Sequence, residues 1–387
     1  MTPPPPPRRL LAVALAFAGA LLAPAADAPP LPPARLAPAD FYGLPNLRAP
    51  KLSPDGKKIA FLFPHEKHLA LGLFDRATKE SRLVLRGEDE SLLSFFWKGD
   101  DRLVFQADVA GNESMFIGVT DLTGKNVRRI AESQRLDDNL TGVSAVLLNP
   151  LAADPARIAV LGLFIENAEN AVFLNGAVTV ARVNVRNLAR SPVLELRDSD
   201  RVAPLGGGIA LLVDNAGALR LRGRIEGRDL VWEHRADDGR EFKPIARHAF
   251  HGYAETWQPL FFGADNATLY LVSREEHDRG ALYTFDTRTL QRSAALFVPP
   301  AGEIGDPLAR DTAGAVLMAP EGDRVLGVAY TTDRLRYHWF DEKREALQQK
   351  LEGTFKGCEV RITSAGDKEN VLLVHVTYDR EPGTYYV

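Results

Sequence analysis

From Leu52 onward, apolar residues alternate with polar ones over short runs, and each run follows a turn rich in Asp, Gly or Ser. Leu52-Ser-Pro-Asp-Gly-Lys-Lys-Ile-Ala-Phe61 sets the pattern, and Phe96-Trp-Lys-Gly-Asp-Asp-Arg-Leu-Val-Phe105 repeats it with Leu103 in the place of Ile59. It returns at Asp154-Pro-Ala-Arg-Ile-Ala-Val160, Ala264-Asp-Asn-Ala-Thr-Leu-Tyr-Leu271, Pro320-Glu-Gly-Asp-Arg-Val-Leu-Gly-Val328 and Ala365-Gly-Asp-Lys-Glu-Asn-Val-Leu-Leu-Val374. A period of two marks strands, because successive side chains of a strand point to opposite faces. The anchors Ile59, Leu103, Ile158, Leu269, Val325 and Val371 are 44, 55, 111, 56 and 46 residues apart. The gap of 111 predicts one weaker copy inside it, and Leu211-Leu-Val-Asp-Asn-Ala-Gly-Ala-Leu-Arg-Leu221 has the turn chemistry for it.

Several anchors are followed by a second strand that closes on Asp and a polar turn, as in Leu73-Phe-Asp-Arg-Ala-Thr78 and Tyr283-Thr-Phe-Asp-Thr-Arg-Thr289. A short carboxylate caps the backbone N–H groups of such turns. Units of this length built from short antiparallel strands predict an all-β fold, a β-propeller of seven blades. Long 3.6-period stripes are missing, which disfavours helical repeats and a doubly wound sheet. The segment Arg334 to Glu352 reads as a strand through Trp339 and Phe340 and a turn at Asp341, with Lys343 to Leu351 open between helix and coil. The last copy, ending in Thr377-Tyr-Asp-Arg-Glu-Pro-Gly-Thr-Tyr-Tyr-Val387, lacks the closing Asp turn. The last blade is therefore expected to be incomplete, with the ring closed by the segment around Phe41 to Leu52 or by chain beyond Val387.

The N-terminus departs from this pattern. Arg8 and Arg9 precede an apolar run from Leu10 to Ala23, shorter than a membrane span and followed by small residues. Residues 1–25 are read as a secretory signal, with cleavage after Ala25 preferred to cleavage after Ala28. Residues 26–40 are read as a Pro/Ala-rich tether and 41–387 as the propeller domain. An exported, periplasmic or extracellular protein with no membrane span after cleavage is the expectation. Cys358 is the only cysteine, so no internal disulfide can form and stability must come from packing. The 47 basic and 51 acidic residues are interspersed, giving a net charge of −4 and no reason to expect a nucleic-acid partner.

Candidate chemistry is sparse. Ser144 in Gly142-Val-Ser-Ala-Val146 lacks the second glycine of a nucleophile elbow and reads as a strand or loop serine. His248 and His251, and likewise His65 and His68, are three residues apart, a metal-binding spacing only on a helix; both pairs read as loop or strand polarity. The pairs Asp100 and Asp101, Asp137 and Asp138, Asp237 and Asp238, and Glu275 and Glu276 read as hairpin tips. Glu166 and Glu169 are placed in a loop after the third repeat strand, and Gly206-Gly-Gly208 at a bend before a strand. No catalytic residue, metal ligand or cofactor is assigned, and the substrate-binding residues are left open.

Asp40-Phe-Tyr-Gly-Leu-Pro45, Leu52 to Phe61, Phe96 to Val104, Val325-Leu-Gly-Val-Ala-Tyr330 and the closing Tyr378 to Tyr386, in this order, resemble the N-terminal β-propeller of the prolyl oligopeptidase family of serine peptidases, in its acylaminoacyl-peptidase-like and dipeptidyl-peptidase-like branch. The resemblance implies a substrate-gating propeller whose partner is an α/β-hydrolase domain carrying Ser, Asp and His, with a peptide as substrate. None of those three residues can be carried over onto this sequence, so the chain alone is expected to be inactive. Two other readings stand beside it: a free-standing envelope propeller that binds a peptide or protein, and a propeller enzyme using metal-bound water, which would need converging Glu, Asp, Asn or His ligands.

Overall fold

The computed structural model describes residues 46–109, 114–132, 134–135, 142–168, 171–173, 178–196, 204–205, 208–236, 239, 241–250, 257–305, 312–378 and 381–387. The expected signal (1–25) and tether (26–40) lie outside these residues. Among the described residues, seven antiparallel sheets of three or more strands follow one another along the chain and form the seven blades of a propeller. Blade 1 is Arg48–Leu52, Lys58–His65, His68–Asp75 and Glu80–Leu85; blade 2 is Glu90–Lys98, Arg102–Val109, Ser114–Asp121 and Arg128–Glu132. Blade 3 is built on Gly142–Asn149, Arg157–Ala168, Val178–Asn184 and Arg190–Leu196. Blade 4 is Leu211–Val213, Leu219–Glu226, Asp229–His234 and Lys243–Ala249; blade 5 is Trp257–Phe262, Thr268–Ser273, Ala281–Asp286 and Gln291–Arg292.

The sequence anchors fall where one element recurs. Ile59, Leu103, Ile158, Leu269 and Val325 lie in the second strand of their blades, and Leu219 and Leu221 supply the weak copy in blade 4. Val371 directly precedes the second strand of blade 7, Leu372–Tyr378. The turn before the first anchor shows why its residues recur. Ser53 is fully buried; its hydroxyl donates to Asp55 Oδ1 at 2.7 Å and accepts the Lys58 N–H at 2.9 Å. Gly56 takes φ = 68°, a conformation side chains resist, and its N–H closes the turn on the Ser53 carbonyl.

Period two along a strand becomes packing between blades. In Arg102–Val109, Leu103, Phe105 and Ala107 join a core with blade 1, while Val104 joins a core with blade 3. In Thr268–Ser273, Leu269 and Leu271 face blade 4 and Val272 faces blade 6. Each large apolar side chain buried this way contributes roughly 1.5–3 kcal/mol, so the ring is held by its seams. Blades 7 and 1 meet through Leu373, Leu52, Ile59 and Phe74, with the Leu52 N–H donating to Ser364 Oγ at 3.1 Å and the Asp367 N–H to the Pro54 carbonyl at 2.7 Å. Arg48–Leu52 thus closes the ring by packing. Among the described residues it pairs in register only with the second strand of its own blade.

Blades 6 and 7 depart from the four-strand plan. The inner strand of blade 6 is split into Glu303–Ile304 and Val316–Met318, both on Val325–Thr331, and Leu335–Trp339 is its last strand. The segment left open in sequence is an α-helix, Glu342–Thr354, after the strand and turn that were expected. Asp341 caps it by accepting the Arg344 N–H at 2.9 Å, which with the nearby Arg324 guanidinium holds this carboxyl below its ordinary range despite partial burial. Among the described residues blade 7 has three strands, Glu359–Ala365, Leu372–Tyr378 and Glu381–Tyr386. Among the described residues, no helix is long and apolar enough to cross a membrane.

Candidate functional site

The turns between first and second strands all emerge on one face of the ring, around the central axis, and they interlock. The Asp55 N–H of blade 1 donates to Asp100 Oδ1 of blade 2 at 2.8 Å, and the Asn215 N–H of blade 4 donates to Asn266 Oδ1 of blade 5 at 2.9 Å. Asn215 Nδ2 also donates to the Gly263 carbonyl at 2.8 Å. Blade 2 reaches into blade 3 through Lys98, 2% exposed, whose ammonium donates to the Leu151 carbonyl at 2.8 Å and to that of Asp154. Burial pushes this lysine down to about 8.

The bore is pinched at this face. A methyl group built on Gly322, in the blade 6 turn, would stand 3.3 Å from Ala152 Cβ, in the blade 3 turn. Blades three steps apart in a ring of seven are nearly opposite, so this contact crosses the axis and narrows the passage there. The rim is acidic. Asp367 of blade 7 is raised above the ordinary carboxylate range, first by burial and then by the charges of Glu321, Asp100 and Asp55. Asp55 is lowered in spite of burial, because the Ser53 hydroxyl and the Lys57 N–H bond its carboxylate. This arrangement can exclude a polypeptide and repel anions.

The sequence candidates separate clearly. Asp100 and Asp101 are at a turn as expected, but they are also clasps between blades: Asp101 takes a two-point contact from Arg186 of blade 3 at 2.8 and 2.9 Å. His65 and His68 face each other across the base of a hairpin whose tip, Glu66, has φ = 57°. His248 lies in the outer strand of blade 4, its ring stacked on Trp257 at 5.5 Å and its Nδ1 3.3 Å from Glu275 Oε1. Glu275 and Glu276 both accept from Arg292, forming a network that was not read from sequence. Ser144 lies within the strand Gly142–Asn149, away from any strand-to-helix turn. Glu166 requires a correction: it is in the strand Arg157–Ala168, paired with Phe173 of a short hairpin, because that strand runs on past its sheet. Gly208 opens a two-residue strand paired with Pro204–Leu205. Asp137, Asp138, Asp237, Asp238, Glu169, His251, Gly206 and Gly207 lie outside the described residues. Among the described residues no group of three or more His, Cys, Asp or Glu is placed to hold a metal ion.

No protein-family model matches the chain, and no curated protein matches it. Solved structures do. A puromycin-hydrolyzing peptidase of Mycobacterium tuberculosis is 13% identical, with 88% of this chain and 51% of that one covered and a TM-score of 0.49. An oligogalacturonate lyase in complex with manganese is 13% identical over 88% of each chain, with a TM-score of 0.47. The acylaminoacyl peptidase of Pyrococcus horikoshii is 14% identical, with 86% of this chain and 50% of that one covered and a TM-score of 0.39. The chain spans about half the length of the two peptidases. With TM-scores below 0.5 none of these likenesses carries an argument about chemistry.

Proposed function

We propose that this chain is an exported propeller that screens peptides for a serine hydrolase of the prolyl oligopeptidase kind and supplies none of the catalytic groups itself. The observation that carries the reading is the pinched bore, where the Gly322 and Ala152 turns meet across the axis. A ring narrowed at one face is a barrier to folded chains and favours entry from the other face or through a seam. The seam between blades 7 and 1 suits the second route, since among the described residues it is held by side-chain packing and two hydrogen bonds rather than by a shared ladder. Export rests on the charged and apolar pattern of Arg8 to Ala25. The position of Ser144 inside a strand supports a nucleophile supplied from elsewhere.

Two measurements test this reading. A Gly-x-Ser-x-Gly elbow encoded in frame beyond Val387 or in an adjacent frame is expected, and its absence from both overturns the proposal. The purified chain is expected to take no label from an active-site serine probe; stoichiometric labelling would place the nucleophile within it.

A further inference from the structure

The seam between blades 6 and 7 is unlike the others. Apolar clusters bridge blades 1 and 2, 2 and 3, 3 and 4, 4 and 5, 5 and 6, and 7 and 1, whereas the cluster of blade 7 gathers Val360, Val374 and Val376 with Leu351 and Phe355 at the end of the helix. Where the remaining seam should be filled, the helix Glu342–Thr354 stands off from the last strand of blade 6 and leaves a cavity of about 450 Å³. That volume suits a small ligand or one long side chain.

One wall is aromatic. Tyr337 and Trp339 alternate onto the same side of Leu335–Trp339 and stack with ring centroids 5.4 Å apart. The indole sits tight on Gly327, where an added methyl would come within 2.8 Å of it, so the platform is fixed by a residue with no side chain. The opposite wall is one polar row of the helix: Glu345, Gln348 and Glu352. Gln348 is 4% exposed, and its Nε2 is committed to the Val360 carbonyl at 2.9 Å and to Glu352 Oε1 at 2.8 Å. Among the described residues its Oε1 has no partner, and neither has the indole N–H of Trp339. A buried acceptor and a buried donor left unmet in the walls of one cavity call for a ligand that supplies both.

The charges choose the ligand further. Arg334 and Arg336 at the rim are both engaged with Asp333, and Glu359 is held by Arg361. Glu345 and Glu352 make only amide hydrogen bonds, to Gln349 and Gln348, and have no ion-pair partner among the described residues. Aromatic faces opposite uncompensated carboxylates are a cation site. We propose that this groove binds an arginine or lysine residue of a peptide. The cation lies against Tyr337 and Trp339 and donates to Glu345, Glu352 and Gln348 Oε1, and the residue's own carbonyl accepts from the Trp339 indole. The site stands whether or not the chain serves a peptidase.

Calorimetric titration of the full chain with N-acetyl-arginine amide tests it, with N-acetyl-norleucine amide as the uncharged control. Saturable one-to-one binding of the arginine compound alone is expected, weakened about tenfold by the double variant Glu345→Gln/Glu352→Gln and by Trp339→Leu. The two glutamates are exposed on the helix, so the double variant keeps its fold even where Trp339→Leu does not. No saturable heat, equal binding of the norleucine compound, or unchanged affinity in a folded double variant would each overturn the proposal.

Discussion

The seam between blades 4 and 5 and the seam between blades 6 and 7 solve the same problem in opposite ways. At the first, Trp232 and Trp257 approach to 6.0 Å between ring centroids, and Phe285 meets Trp257 edge-on at 5.6 Å among fully buried Leu221, Leu269 and Leu271. At the second, the helix is anchored by Arg344, 5% exposed, which donates to Glu369 Oε2 at 2.7 Å, while Arg324 ties Glu369 to the capping Asp341. The apolar seam gains stability in proportion to the area it hides and has no preferred partner. The polar seam must match each group, and its cost of desolvation leaves little net stability. Only the second leaves room for something else to bind.

That contrast can be broken from either side. Trp232→Ala, in the apolar seam, is expected to cost about 3–5 kcal/mol in chemical denaturation, the largest effect of the set. Glu369→Gln is expected to cost about 3 kcal/mol by stranding the buried Arg344. Adding Arg344→Met should restore most of that loss, since an apolar side chain of similar length needs no partner; failure to recover would mean that the anchor acts through shape rather than charge.

Lys98→Met removes the donor shared by the Leu151 and Asp154 carbonyls and is expected to cost about 2 kcal/mol near neutral pH. The lysine also carries a pH signature. Its folded value of about 8 lies below that of the unfolded chain. Below that pH both states are charged and the burial penalty is present in full. Between about 8 and the ordinary lysine value the unfolded chain holds more protons, so wild-type stability rises relative to Lys98→Met as pH increases. A flat difference across that window would show that the ammonium is better hydrated than its burial implies. The smallest effect is expected of Arg186→Ala, which breaks a pair that is about half exposed on both sides and should cost less than about 1 kcal/mol, shrinking further in salt.

The ring was legible in the sequence because each blade uses the same local chemistry. Ser53, Asp55 and Gly56 close a turn among themselves, so their pattern shows in a short window and its recurrence counts blades. What was not legible joins distant positions. The Asp55 to Asp100 clasp spans 45 residues, the Asp101 to Arg186 pair spans 85, and nothing in either neighbourhood announces the other. The pinched mouth was equally hidden, because Gly322 and Ala152 meet only once the ring is closed. The helix Glu342–Thr354 resisted a firm reading for a different reason: its buried residues are Arg344 and Gln348, so no apolar stripe marks its inner face.

Blades 3 and 6 touch across the axis where the Gly322 and Ala152 turns meet. A cysteine pair made by Ala152→Cys and Gly322→Cys, with Cys358→Ser to remove the native thiol, probes this contact, because the two Cβ positions stand 3.3 Å apart, a few tenths of an ångström short of the roughly 3.5–4.5 Å of a bridge, and Gly322→Ala alone controls for the strain a side chain meets at φ = 73°. Mild oxidation of the folded protein is predicted to close the bond intramolecularly, read as loss of both free thiols without a change of oligomeric state. Thiols that stay free while this protein and Gly322→Ala both remain folded would show that the two turns stand apart.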